Sequence, residues 1–312
     1  MATMKVVRIA SFGAPDVMKI ERLPVAEPGQ NELRLRVHAA SVNPVDYKTR
    51  QGKYPAVKSD KLPYVLGRDV SGTVETCGPG MTDWRPGDEV YAMLGIDRGS
   101  YAEHVIVKAE EAARKPTSLD HTAAAAVPLA GLTAWQGLFR YGGLQKGQRV
   151  LIHGGSGGVG HFAVQFARAR GAQVITTASE KHVAFARELG ADQVIDYKKQ
   201  RFEDVVRNVD MVFDLIAGET QDRSWRVLRK GGILVSTLAE PSPEKAREFG
   251  VRGTRYTVEE SGTELSEIAS LIDAGKVTPR VNRTFALREA AAAQEYVEKG
   301  HMEGKVVLEI AA

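Results

Sequence analysis

The chain has 312 residues, with 42 Lys and Arg against 39 Asp and Glu and a formal net charge of +3. Hydrophobic content of 43% and charged content of 26% exclude a disordered or membrane-spanning chain, and so small a scattered charge excludes a nucleic-acid footprint. The length suffices for two domains with sizeable cores. Cys77 is the only cysteine, which excludes internal disulfides and any Cys-rich metal site, and it reads as an inert packing thiol. Met1 to Lys5 runs straight into a strand without an apolar signal core, so a cytoplasmic protein without membrane insertion is expected.

Short alternating segments dominate the first part: Lys5–Ile9, Glu32–Ala39, Val70–Cys77, Glu89–Met93 and Glu103–Val107. Pro and Gly turns such as Glu27-Pro28-Gly29 and Arg85-Pro86-Gly87-Asp88 separate them. This pattern predicts an antiparallel, barrel-like β domain. From His121 on, helices and strands alternate. A helix is predicted over Ala123–Phe139, then strand 149–153, helix 159–170, strand 173–177 and helix 181–189. Strand 193–195, a helix near 202–207, strand 210–215, helix 220–229 and strand 232–237 follow. The alternation predicts a doubly wound parallel α/β sheet. The tail, from the helix Glu264–Ala274 to the strand at Val306–Ile310, returns to the first domain. The expected division is therefore 1–122 with 261–312 against 123–260.

Within the second part, Val150-Leu151-Ile152-His153 leads into Gly154-Gly155-Ser156-Gly157-Gly158-Val159-Gly160 and an apolar helix pattern. Gly155, Gly157 and Gly160 fit G-x-G-x-x-G between a buried strand and a helix start. There glycine allows a tight turn, a close approach of backbone to a pyrophosphate and near packing of helix on strand. The helix N-terminus adds free N–H groups and a partial positive charge. A dinucleotide is expected, contacted by Gly155, Ser156, Gly157, Gly158, Val159 and Gly160. The next strand ends Thr177-Ala178-Ser179, where an NAD site usually carries an acid for the ribose hydroxyl. Glu180 lies one or two positions into the turn, and Lys181 and His182 follow. Ser179 and Lys181 suit a 2′-phosphate, so NADPH is expected over NADH; the same residues would also cap and open a helix. His153, on a buried strand, is expected to be structural, and His38 and His104 to be packing or surface residues.

Six short motifs in order resemble the medium-chain dehydrogenase/reductase superfamily, over essentially the whole chain. They are Ser41-Val42-Asn43-Pro44-Val45-Asp46-Tyr47-Lys48, Leu66-Gly67-Arg68-Asp69-Val70-Ser71-Gly72, Arg85-Pro86-Gly87-Asp88-Glu89-Val90, Leu129-Ala130-Gly131-Leu132-Thr133-Ala134, Gly157-Gly158-Val159-Gly160 and Leu189-Gly190-Ala191-Asp192. They look like the zinc-free quinone oxidoreductase and enone reductase branch. The resemblance implies a GroES-like catalytic domain beside a Rossmann domain. It also implies a homodimer joined along a sheet edge near Gly253–Val258, with Arg255 and Thr257 alternating against Tyr256 and Val258.

Members that oxidise alcohols carry Cys near Asn43 and Gly-His-Glu where this chain reads Gly67-Arg68-Asp69. One cysteine cannot supply either of their zinc sites. Without a Lewis acid the expected reaction is reduction of an activated acceptor, a quinone or an α,β-unsaturated carbonyl. By the resemblance, Asn43 to Lys48 and Tyr54 form the floor of the acceptor site. Asn43 and Tyr54 are the expected hydrogen-bond donors, Lys48 either contacts the cofactor ribose or polarises the acceptor oxygen, and Asp46 either orients Lys48 or holds a local turn. Asn-Pro-x-Asp is equally a turn and helix-capping sequence. Thr133 falls near the nicotinamide amide or caps a helix. Tyr197 falls near the 2′-phosphate or is an exposed strand-end aromatic. Ala217, Gly218 and Leu238 fall at the nicotinamide half, and Lys305 is either a phosphate contact or a plain edge lysine. Two alternatives share the cofactor: an enoyl-thioester reductase acting on CoA or carrier-bound chains, and a non-catalytic NADPH-binding protein.

Overall fold

The computed structural model describes residues 2–300 and 302–310. It divides into two compact units, one of Met1–Leu129, Glu260–Asp273 and Pro279–Ala312, the other of Ala130–Glu259 and Ala274–Thr278. The first boundary falls at 129 rather than 122. The reason is local: Ala125 and Ala126 are fully buried against Ala39 and Val307, so the helix His121–Ala125 belongs to the first unit's core. Residues 274–278 join the second unit, where Gln165 and Thr278 exchange hydrogen bonds of 2.8 and 3.1 Å.

In the first unit, strand Thr3–Ile9 pairs antiparallel with Met18–Pro24 and Tyr64–Val65. A larger sheet runs in the order Val281–Ala286, Lys305–Glu309, Glu32–Val42, Asp69–Cys77, Glu89–Met93 and Ala112–Arg114, with His104–Lys108 also on Glu32–Val42. It is antiparallel except for one pair, Val281–Ala286 with Lys305–Glu309. Glu32–Val42 alternates buried and open positions at first, then is buried continuously over Ala39–Val42. The chemistry-bearing segment begins where that doubly covered stretch ends. Cys77 packs against the Leu33, Leu35 and Val74 cluster and donates weakly to the Trp84 carbonyl, while burial raises its thiol pKa, as expected of a packing thiol.

The second unit holds six parallel strands in the order Gln193–Asp196, Gln173–Ala178, Arg149–Ile152, Val209–Asp214, Leu228–Ser236 and Arg252–Arg255. The order reverses beside Arg149–Ile152, which is the switch point of a doubly wound sheet. Val150, Leu151 and Ile152 are wholly buried, because helices cover both faces of such a sheet. The helix expected over Ala123–Phe139 is interrupted. It ends at Ala125, restarts as Pro128–Trp135, and passes into a π-helical turn at Gln136–Tyr141. Pro128 lacks an N–H and disfavours helical backbone at Val127, so the break falls there.

The expected edge strand is real but shorter and earlier, Arg252–Arg255. Tyr256 leaves the edge because its ring is buried, stacked on Tyr141 at 4.5 Å, with its hydroxyl on the Thr133 carbonyl. No helix among the described residues is long and apolar enough to cross a membrane.

Candidate active site

Every cofactor candidate in the second unit except Thr133 follows the carboxyl end of a strand. The glycine loop follows Arg149–Ile152, Ser179 and Lys181 follow Gln173–Ala178, and Tyr197 follows Gln193–Asp196. On the other side of the switch point, Ala217 and Gly218 follow Val209–Asp214 and Leu238 follows Leu228–Ser236. Open α/β sheets bind ligands along this rim. Sheet order thus places the phosphate-side candidates on one half of the rim and the nicotinamide-side candidates on the other.

The loop glycines differ in what they permit. A Cβ on Gly160 would sit 2.1 Å from the Gly154 carbonyl oxygen, so the helix Gly160–Ala169 packs on the loop only because that atom is missing. A Cβ on Gly155 would strike Thr176 at 2.1 Å. Gly157 is different: its nearest neighbour to a Cβ is 3.5 Å away, so its bareness leaves space rather than relieving protein contact. Among the described residues, the N–H groups of Ser156, Gly158 and Val159 make no hydrogen bond. Three unspent donors, open space at Gly157 and the positive end of a ten-residue helix fit a pyrophosphate. His153 is buried between Ser224 Oγ at 2.9 Å and Thr177 Oγ1 at 3.4 Å, and burial lowers its pKa to about 4. It is a neutral structural group, as expected.

Ser179 is buried and precedes the short helix Glu180–His182, while Lys181 is exposed beside it. Tyr197 is 50% exposed, and its N–H meets the Ala178 carbonyl at 3.2 Å, which joins the two loops. Ala217 is held at φ 65° and Gly218 at 59°. The cause is Asp214, fully buried, whose carboxylate accepts from the N–H groups of Ile216 and Ala217 and from Gln221 and Ser236. That capping turns Ile216 outward at 53% exposure, alongside Leu238 at 45%. Two exposed aliphatic side chains on one rim suit a flat apolar ring. The sequence offered no sign of Ile216. Thr133 is the sixth residue of Pro128–Trp135, so the alternative that it caps that helix does not hold.

In the first unit the helix Pro44–Arg50 carries the remaining candidates. Asp46 closes the first turn from one side: the Asn43 N–H donates to Asp46 Oδ2 at 2.7 Å, while the Asp46 N–H donates to the Asn43 backbone carbonyl at 3.0 Å. Arg50 locks the other end, donating to Gln294 at 2.9 Å and Glu298 at 3.0 Å. The Asn43 amide is not a free donor. Its nitrogen donates to Asp69 Oδ2 at 2.8 Å, and its oxygen accepts from Lys305 Nζ. Asp69 also accepts from the Ser41 hydroxyl and, at 2.7 Å, from the Leu129 N–H. Lys305 is correspondingly neither an edge lysine nor a phosphate contact: it is 3% exposed, with its ammonium 3.7 Å from Asp69. Burial lowers its pKa while Asp69 and Asp46 pull it back up. Asp46 holds the local turn and accepts from Tyr101 at 3.1 Å; it does not orient Lys48. Lys48 and Tyr54 remain. Both are half-buried, and among the described residues their side chains make no hydrogen bond or ion pair. An open surface cavity beside Asn31, Trp84 and Lys108 shares no residue with either set.

Burial pushes the Asp46 carboxyl up to about 7, with Asp69 adding to it and the Asn43 N–H, Tyr101 and Lys305 opposing. From about pH 4 to about 7, the folded chain keeps a proton there that an unfolded chain has released. This carboxyl's contribution to stability therefore declines as pH rises through that window. His153 acts in the opposite sense, its contribution falling as pH falls from 6.5 towards about 4. Comparison with Asp46→Asn isolates the first effect: the variant is expected to gain stability relative to the parent between about pH 4 and about 7. Urea midpoints across that range check it, and a pH-independent difference would contradict it.

Residues 29–117 match the alcohol dehydrogenase GroES-like domain and residues 189–308 the zinc-binding dehydrogenase family. The chain is 36% identical to the mitochondrial NAD(P)H oxidoreductase RTN4IP1 of Mus musculus, over 97% of this chain and 88% of the relative. It is 37% identical to the chloroplastic NADPH-dependent alkenal/one oxidoreductase of Arabidopsis thaliana, over 98% of this chain and 79% of that one. The solved quinone oxidoreductase from Coxiella burnetii superposes with a TM-score of 0.92 at 36% identity, covering 99% of this chain and all of its own. With its two folds, its motif order and these relatives, the chain belongs to the medium-chain dehydrogenase/reductase superfamily, in the group of its quinone oxidoreductases and enone reductases.

Proposed function

We propose that the protein is an NADPH-dependent reductase that passes hydride to a quinone or an α,β-unsaturated carbonyl without the help of zinc. The observation that carries the cofactor half is the loop at Gly157, with open space and three unspent N–H donors beside a helix N-terminus. The names of the relatives support the acceptor class: an alkenal/one oxidoreductase and a quinone oxidoreductase. Bound along the strand rim, the cofactor supplies the hydride. Ser156, Gly158 and Val159 would hold its phosphates, Ser179, Lys181 and Tyr197 its 2′-phosphate, and Ile216 and Leu238 would offer apolar surface to its ring. Lys48 and Tyr54 donate to the acceptor oxygen as negative charge develops on it. Asn43 and Asp46 act on the position of the helix that carries Lys48.

Zinc does not fit this donor set, although both matching families have zinc or alcohol in their descriptions. Cys77 is the chain's only thiol and is spent on packing. Arg68 donates to the Leu94 carbonyl and to Glu260, and Asp69 is saturated by Ser41, Asn43 and Leu129. Among the described residues, no three His, Cys, Asp or Glu side chains stand together as metal ligands.

The 2′-phosphate contacts are tested by affinity. NADPH should bind at least about tenfold more tightly than NADH, a gap of about 1.4 kcal/mol. Lys181→Ala should narrow the gap by weakening NADPH alone, and equal affinities in the unmodified protein would remove the NADPH assignment. A homodimer is the assembly we infer, because Arg252–Arg255 is an exposed, unpaired edge of the parallel sheet. Its mass in solution by light scattering checks this, a monomer at micromolar concentration counting against it.

A further inference from the structure

We propose that Lys199 sets cofactor choice by neutralising Glu180, an acid that would otherwise repel a 2′-phosphate; the proposal rests on the NADPH reading above. Strands Gln173–Ala178 and Gln193–Asp196 are parallel neighbours, with Ala178 opposite Asp196. The hydrogen bond from Tyr197 N–H to the Ala178 carbonyl at 3.2 Å carries that pairing into the loops beyond. One loop presents Ser179, Glu180 and Lys181, and the other presents Tyr197, Lys198 and Lys199. Between them the Lys199 ammonium and the Glu180 carboxylate form an ion pair.

Glu180 is the one acid from Ser179 to His182, next to where a carboxylate in NAD sites holds the ribose hydroxyls. A carboxylate there favours a hydroxyl, which donates to it, and disfavours a phosphate dianion. Paired with Lys199, its charge is cancelled at the position where it would act. Asp196, the other nearby carboxylate, is turned to its own loop and accepts from the Lys198 N–H at 3.1 Å. Lys199 is held in its charged form by the hydrogen bond to Glu180. Such an exposed pair contributes little to folding. Its consequence is the sign of the field at the loop, which is a matter of ligand choice and not of stability.

Calorimetric titration of the full chain with adenosine 2′,5′-bisphosphate and with adenosine monophosphate separates this from other roles, because neither probe reacts. Lys199→Ala should weaken the bisphosphate by about fivefold or more while leaving the monophosphate within about twofold. Adding Glu180→Gln to Lys199→Ala should restore bisphosphate binding to within about twofold of the parent. An unchanged affinity in Lys199→Ala would overturn the proposal. So would a double variant as weak as Lys199→Ala alone, since Lys199 would then act on the phosphate directly. If instead the parent protein binds both probes equally, the NADPH reading itself fails, whatever the variants do.

Discussion

Asp69→Ala is expected to cost about 3–5 kcal/mol of stability, the largest loss of any single substitution considered. Asp69 is fully buried and satisfies Ser41, Asn43 and the Leu129 N–H, and its carboxylate is the nearest counter-charge to the buried Lys305. Removing it strands three donors and an ammonium in an apolar interior, where unpaired polar groups keep their full desolvation cost. Lys305→Met is expected to be harmful for the converse reason. The double variant should cost less than the sum of the two, because each single change leaves the other partner unpaired. Urea midpoints of the three variants measure this. A loss under about 1 kcal/mol for Asp69→Ala would show that the network does not hold the segment from Ser41 to Arg50 in place.

Gly157→Ala and Gly160→Ala should separate cofactor binding from loop packing. In Gly160→Ala the new methyl meets the Gly154 carbonyl at 2.1 Å and Gly155 Cα at 2.8 Å, both backbone atoms that cannot swing aside. Loop and helix must part, and a loss of about 1–3 kcal/mol in stability is expected together with a loss of NADPH affinity. In Gly157→Ala the methyl has 3.5 Å of room. Stability should stay within about 0.5 kcal/mol of the parent. NADPH affinity should nevertheless fall by about tenfold or more, because the methyl fills space that the pyrophosphate uses. Thermal unfolding and fluorescence titration read the two effects separately. Unchanged affinity in Gly157→Ala would remove that loop from the binding site.

Strand and helix order in the second unit was legible where a strand is a short buried apolar run, as at Val150 to Ile152, Val174 to Ala178 and Met211 to Phe213. Val281–Ala286 was not, since Asn282, Arg283 and Thr284 are all exposed and show no alternation. Met18–Pro24 is a largely open edge strand, and its Ile20 is 49% exposed, so apolar periodicity says little about it. The rim positions at Ser179, Tyr197, Ala217 and Leu238 could be read because each follows a strand end. Ile216 could not, since its outward turn depends on how Asp214 spends its carboxylate. Nor does spacing reveal that Lys305 reaches Asn43, 262 positions earlier in the chain, so its burial was out of reach. Asn43 and Asp46 illustrate the converse. Their sequence signature fits both a local turn and a catalytic floor, and only the structure reveals that Asp46 is spent on the Asn43 N–H and the Asn43 amide on Asp69 and Lys305.

The central claim, zinc-independent hydride transfer from NADPH to a conjugated acceptor, is tested most directly by NADPH oxidation over one panel of acceptors with a strong chelator present. Quinones and enones should be reduced and saturated aldehydes hardly at all, because conjugation spreads the developing charge to an oxygen that Lys48 and Tyr54 can serve. Lys48→Met and Tyr54→Phe should lower turnover more than they weaken NADPH binding. NADPH binding without turnover on any acceptor would contradict the account, as would activity that disappears with chelation and returns with zinc.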